Sequence, residues 1–299
     1  MRFAGGYEAR LIECPGRWMS DAALADLGAE LRAVAAHTLP EGALNYGVFA
    51  GGREHLSQSV ITLVREASTG RPLAFNALVL MDLELAGRPV QVLHLGLVMV
   101  DPAVRSRGLA WILYGLTCFL LFLRGRLRPL WVSNVTQVPA VAGMVAETFS
   151  EVFPSPRPGT RRSLAQLMLA RQIMRHKRAL FGVGPEAGFD EARFVITGAY
   201  TGGSEALKKS FAATAKHRDD AFNAFCADQL DYARGDDLLQ IGQITLSTAR
   251  SYLGHEVPRH ALASLALLAL VVLVQRAVVP VLLWFDASRP WGLLRAWPK

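Results

Sequence analysis

Cysteine is nearly missing from this chain: Cys14, Cys118 and Cys226 are the only three in 299 residues. An odd number of widely separated thiols excludes a disulfide framework, and no Cys/His spacing suits a metal, so a reducing compartment and no metal are expected. Charge is thin as well, at 19% of residues against about a quarter in ordinary globular chains. Nowhere does a Lys/Arg run interleave with aromatics, so a nucleic-acid surface is not expected. Residues Met1 to Glu8 carry charge and no apolar core, and a signal peptide is therefore not expected either.

What the chain has is apolarity and positive charge together. It is 52% hydrophobic with a net charge of +7, which favours an anionic membrane surface, an anionic cofactor, or both. The length allows one large domain or a domain with appendages.

In order, Glu8–Cys14 alternates as a strand and stops at Pro15-Gly16, and Asp21 caps a helix whose Leu24, Leu27, Leu31 and Val34 recur at helical spacing up to His37. Ser59–Val64 and Leu73–Leu85 read as strands. Ala86-Gly87-Arg88 closes a hairpin into a further strand, Val90–Val100. Asp101-Pro102 ends that strand, and from Gly108 a helix former run begins. Glycine at the start of a helix lets backbone N–H groups converge on an anion at the positive end of the dipole. Arg105 and Arg107 add full charges there, so a phosphate or pyrophosphate is the expected guest.

Arg105-x-x-Gly108-x-Ala110, with Val98-Met99-Val100-Asp101-Pro102 before it, resembles the Arg/Gln-x-x-Gly-x-Gly/Ala signature and fourth strand of the GNAT superfamily of N-acyltransferases. The resemblance covers residues 7 to 200, most firmly 58 to 150. It implies an α/β (α+β) fold: a mixed, mainly antiparallel central sheet flanked by helices, here with an added C-terminal helical region. It also implies acyl-CoA, or an acyl carrier protein thioester, as co-substrate, held by Val98, Met99, Val100, Arg105, Ser106, Arg107, Gly108, Leu109 and Ala110. In the family the sheet splays after the next strand, Pro129–Asn134, so that the pantetheine arm pairs with exposed backbone. Asn134 resembles the asparagine often found at that strand end, although capping a turn would explain it equally well. Backbone N–H groups near Met99 and Val100 would hold the oxyanion.

The family base is often a carboxylate eleven residues before the Arg/Gln; here that position is His94. A cleft-facing histidine could take the amine proton, and a hydrogen-bonded core histidine is the competing reading. Glu84 and Asp82 are alternative bases, or one of them could orient His94 across the hairpin. The family acid, a tyrosine after the fifth strand, is not evident, since Ala142, Met144 and Phe149 occupy the region; Tyr114 is a substitute.

Two apolar segments set the substrate class. Residues 108 to 123 hold no charge, and so need a second cover of protein, lipid or an acyl chain beyond the sheet. Ala261–Phe285 contains fifteen Leu, Val and Phe residues, which at roughly −0.4 kcal/mol each favour insertion by about 6, opposed by about 3 for Arg276. A span, an interfacial helix or a helix packed on residues 109–123 all remain open. Trp284, Trp291 and Trp297 with Arg289, Arg295 and Lys299 suit a headgroup layer.

Further expectations are helices over Pro139–Phe149 and Ser163–Leu180, a strand over Arg193–Tyr200, a joint at 201–204, and a helical stretch over Asp219–Leu246 broken at Asp236-Asp237. The expected division is 1–200 acyltransferase, 201–257 helical extension and 258–299 membrane-interacting helix. Together these point to a membrane-associated, long-chain N-acyltransferase acting on a lipidic amine such as a sphingoid base, on the cytoplasmic side of a bacterial inner membrane, similar to bacterial ceramide synthases. A soluble acetyltransferase and a non-catalytic acyl-CoA-binding adaptor are the rivals.

Overall fold

The computed structural model describes residues 2–3, 6–39, 47–50, 52–105, 109, 111–125 and 127–285. Its frame is a ten-stranded sheet. The elements run β1 (Arg2–Phe3), β2 (Tyr7–Glu13), α1 (Asp21–Ala35), α2 (Arg53–Leu56), β3 (Ser59–Glu66), β4 (Pro72–Leu85), β5 (Arg88–Val100), α3 (Thr117–Arg124), β6 (Leu130–Thr136), α4 (Pro139–Thr148), β7 (Ser150–Phe153), α5 (Leu164–His176), β8 (Gly188–Asp190), β9 (Val195–Thr197), α6 (Asp220–Gln229), β10 (Asp237–Ile244), α7 (Leu246–Ser251) and α8 (Arg259–Phe285). Sheet order is β1-β2-β3-β4-β5-β6-β10-β9-β8, with β7 also on β10. Every pairing is antiparallel except β5–β6. The α+β class expected from sequence is what is found.

Local chemistry sets the register. Ala86 and Gly87 both take positive φ, 52° and 75°, the turn whose twist matches an antiparallel hairpin. Ser20, not the expected Asp21, caps α1 by accepting from the Ala23 N–H at 3.3 Å, and Asp21 is the first residue of the helix. The expected stripe Leu24, Leu27, Leu31 and Val34 is buried against Ile61, Leu63, Phe75 and Met99.

Helices cover both faces. On one, α1 and α5 bury alternate residues of β3 to β5 and β10, among them Val79, Met81, Leu83, Leu239 and Ile241. On the other, α3, α4 and the start of α8 bury Val60, Val64, Ala74, Leu78, Leu93 and Leu95. Thr117 ties α3 to the sheet through a buried polar knot: its hydroxyl lies 2.6 Å from that of Thr62, whose N–H donates to Asn76 Oδ1 at 2.8 Å. The expected helix over 109–123 is found from Trp111 to Arg124, wide-pitched with i→i+5 bonding over Trp111–Leu116 and regular in α3.

Three expectations need correction. Residues 237–244, expected inside a helical stretch, form β10 in the interior of the sheet. Both faces of β10 are covered, so it lacks the alternation that marks a half-exposed strand. A segment of the expected 201–257 extension therefore belongs to the same sheet as the first 200 residues. The strand expected over 193–200 shrinks to β9, because Phe194 and Gly198 take positive φ, 54° and 62°, at its two ends.

Helix α8 docks by one stripe only. Ala261 and Leu265 are buried and Leu268 and Val272 are half-buried against the cluster that contains α3. Leu262, Leu267, Leu270, Val271, Leu273, Val274 and Val278 face outward. The 18 residues Ala261–Val278 have a mean hydropathy of 2.2 and are 11% buried. Both covers weighed for this segment thus bear on it: protein on one stripe and an uncovered apolar surface on the rest.

Candidate functional site

The parallel pairing of β5 with β6 runs from Val92–Trp131 through His94–Ser133 to Leu95–Asn134 and then stops. Beyond it β5 stays on β4, while β6 stays on β10 up to Thr136–Leu238. The strands therefore diverge, and Gly96 to Val100 present a backbone edge without a β6 partner.

Gly96 sits where this opening begins. Opposite it the β4–β5 register shifts between Ala77 and Val79, which is a bulge, and bulges turn a strand's edge. A Cβ at Gly96 would lie 2.3 Å from the Ala77 carbonyl oxygen. Glycine is required there.

Antiparallel hydrogen bonding then decides which amides face the gap. Asp101 N–H donates to Leu73 O at 2.8 Å, so alternation sends the Met99 N–H into β4 and those of Val98 and Val100 outward. The Met99 side chain is buried under α1. Of the expected pair, Val100 offers its amide to the gap and Met99 does not.

A cavity of about 230 Å³ occupies the divergence, lined among others by His94, Gly96, Val98, Tyr114, Asn134 and Asp237. Three residues singled out by sequence on separate elements, His94, Tyr114 and Asn134, are among its lining. They differ in what they can do.

His94 is 2% exposed; its Nδ1 lies 3.1 Å from Ser133 Oγ, and its ring stacks on Phe181 with centroids 4.7 Å apart. Burial lowers its pKa to about 4, so the imidazole is neutral near pH 7. It is both a hydrogen-bonded buried histidine and a cavity wall. Tyr114 reaches the cavity from the α3 side, and burial together with Cys118 pushes its phenol well above the usual range, leaving it a proton donor. Asn134 donates to Gln240 Oε1 at 3.2 Å, and Gln240 in turn donates to the carbonyls of Ala142 and Pro154. Asn134 thus clamps β6 to β10 rather than capping a turn.

Glu84 is not part of this site. It pairs with Pro89 near the hairpin tip, five positions from Val79, the partner of His94. Side-chain alternation places Val79, Met81 and Leu83 on the α5 face, leaving Asp82 and Glu84 exposed on the other. Glu84 is held through its backbone by Gln172, and Asp82 accepts from Gln91 at 3.0 Å. Neither orients His94.

Of the expected phosphate loop, Arg105 is exposed after a tight turn at Pro102–Val104, and Leu109 is buried on the α3 side. Ser106, Arg107, Gly108 and Ala110 lie outside the described residues, as does the tail beyond Phe285 with Trp291 and Trp297. Asp101, at the root of the loop, is fixed by the Ala103 N–H at 2.9 Å, by His37 at 2.9 Å and by Arg71 at 3.1 Å.

Sequence reasoning passed over Ser133, Phe181, Tyr200, Asp237 and Gly96. A lone glycine inside an apolar strand was a readable bulge signal; the others come together only through sheet order. No family model matches the chain, and no curated protein matches it in sequence.

Proposed function

We propose that this protein is a membrane-associated N-acyltransferase that moves a long acyl chain from an acyl thioester, acyl-CoA or its carrier-protein equivalent, to the primary amine of a lipidic acceptor such as a sphingoid base. The observation that carries this reading is the β5–β6 divergence with His94 in its wall. A thioester arm can pair with the free backbone of Gly96 to Val100 as an added strand. The outward N–H groups of Val98 and Val100 are then available to the oxyanion. The signature at Arg105, Gly108 and Ala110 and the GNAT-like strand order support the same assignment.

In this chemistry the amine nitrogen attacks the thioester carbonyl, the carbon–sulfur bond breaks, and the thiolate leaves with its electron pair. Neutral His94 takes a proton from the nitrogen once attack has made it acidic. Tyr114, in the cavity lining, is assigned the role of donor to the departing sulfur.

In this reading the cavity of about 230 Å³ takes the two reacting ends, and the alkyl chains extend out of it. The chains need apolar surface outside it, and the outward face of α8 offers that next to a bilayer.

The test is lipid mass spectrometry of a host expressing the full chain, beside the His94→Ala variant. A new long-chain amide is expected with wild type and is lost with His94→Ala, while acyl-CoA binding persists. Only acetylated polar amines would replace the reading with a soluble-type acetyltransferase; no amide with intact thioester binding would leave an adaptor.

A further inference from the structure

Among the described residues the cavity lining holds one carboxyl, which the chemistry above leaves unused. Asp237, the first residue of β10, is 5% exposed and lines the same cavity as His94. Its neighbours Leu239 and Ile241 belong to the α5-side cluster that also contains Phe181, the ring stacked on His94. By strand alternation Asp237 therefore faces the same side of the sheet as His94.

Its side chain is held by a phenol. Tyr200 OH donates to Asp237 Oδ1 at 2.8 Å. No cation pairs with this carboxyl among the described residues, whereas the adjacent Asp236 is taken by Arg234 at 2.6 Å. Among the described residues the hydrogen bond to Asp237 falls on Oδ1, and the residue is part of the cavity lining. Phe181, Val183 and Ala199 supply apolar walls beside it.

We propose that the Asp237 carboxylate, steadied by Tyr200, receives the ammonium group of a primary alkylamine. This rests on the transferase reading for its role but not for its existence. One carboxylate and one phenol are too few oxygen ligands for Ca²⁺ or Mg²⁺, and apolar walls suit the carbon next to an ammonium. Once bound, the ammonium gives one N–H proton to the carboxylate, the nitrogen keeps the bonding pair, and that pair attacks the thioester. Burial, reinforced by Asp236, raises the Asp237 pKa to about 8. His94, lowered to about 4, cannot serve this first step.

The experiment is binding of dodecylamine and of dodecanol to the full chain in detergent, followed by calorimetry, alongside amide formation from palmitoyl-CoA and dodecylamine. Wild type is expected to prefer the amine at least tenfold, Asp237→Asn to lose that preference with dodecanol binding unchanged, and Asp237→Glu to keep part of it. Equal preference in wild type and Asp237→Asn overturns the proposal. Should Asp237→Asn not fold, Tyr200→Phe carries the test, and an undiminished amine preference in it overturns the proposal. Amide formation at the wild-type rate by Asp237→Asn sinks the cation site and leaves the transferase standing. Amine preference lost in Asp237→Asn, without amide formation by wild type, keeps the cation site and removes the transferase.

Discussion

Replacing Gly96 by alanine probes the site and the fold at one atom. The added Cβ would lie 2.3 Å from the Ala77 carbonyl oxygen, about 1 Å inside the closest ordinary carbon–oxygen contact of roughly 3.3 Å. The obstacle is backbone, so no rotamer change relieves it; β5 must move off β4 towards the gap. Forced overpacking of this kind costs about 1–3 kcal/mol, and at roughly 2–4 °C per kcal/mol the melting midpoint should fall by about 2–12 °C. The moved strand also narrows the opening, so palmitoyl-CoA binding should weaken in the same variant. Gly28→Ala is the control: this helical position has nothing within 4 Å of a new Cβ, and alanine there should stabilise α1 by up to about 1 kcal/mol. Calorimetric melting with fluorescence-detected thioester binding reads both. A Gly96→Ala protein that melts with wild type and binds palmitoyl-CoA equally well would refute the bulge argument.

Thr117→Val should cost about 1–3 kcal/mol in denaturant unfolding, because it leaves the buried Thr62 hydroxyl without its partner 2.6 Å away. Asp101→Asn should lower stability at pH 7 by about 1–2 kcal/mol. The Asp101 carboxyl is held below its usual range first by the Ala103 N–H and then by His37 and Arg71, so its contribution is present above the unfolded pKa of about 3.9 and is lost as pH falls through the lower folded value. The two melting midpoints should therefore stay apart down to about pH 4 and draw together only as the pH falls further, through the folded value. Leu267→Asp with Leu273→Asp should release the protein from anionic vesicles without moving its melting midpoint, since both side chains are 62% exposed. Leu265→Asp, 2% exposed, should lower that midpoint instead.

Much of the left half of the sheet was readable because its strands are bounded by turns with a definite chemistry. The Ala86-Gly87 turn and the α1 stripe act within a few residues of one another, while the α1 cap, expected at Asp21, falls one residue earlier on Ser20. The site was readable only in part. His94 is found by counting from Arg105, yet its partners Ser133 and Phe181 come from a parallel register and a loop that no local pattern encodes. Glu84 was misplaced because alternation within a strand says which side chains share a face but not which face turns inward. Asp237 was passed over because β10 has Leu238, Leu239 and Gln240 all buried, and Gln240 is polar only because Asn134, Ala142 and Pro154 need its amide. A strand buried on both sides carries no period to detect.

The position of β10 also governs how the chain can be made. While the ribosome is still adding residues 137 to 236, the open flank of β6 has no neighbour on that side, and Val132 and its row must wait for a strand about a hundred residues downstream. Such distant closure slows folding and leaves a sticky edge on the nascent chain. A product stopped at residue 200 would retain that edge permanently, and should precipitate rather than yield a free-standing catalytic fragment.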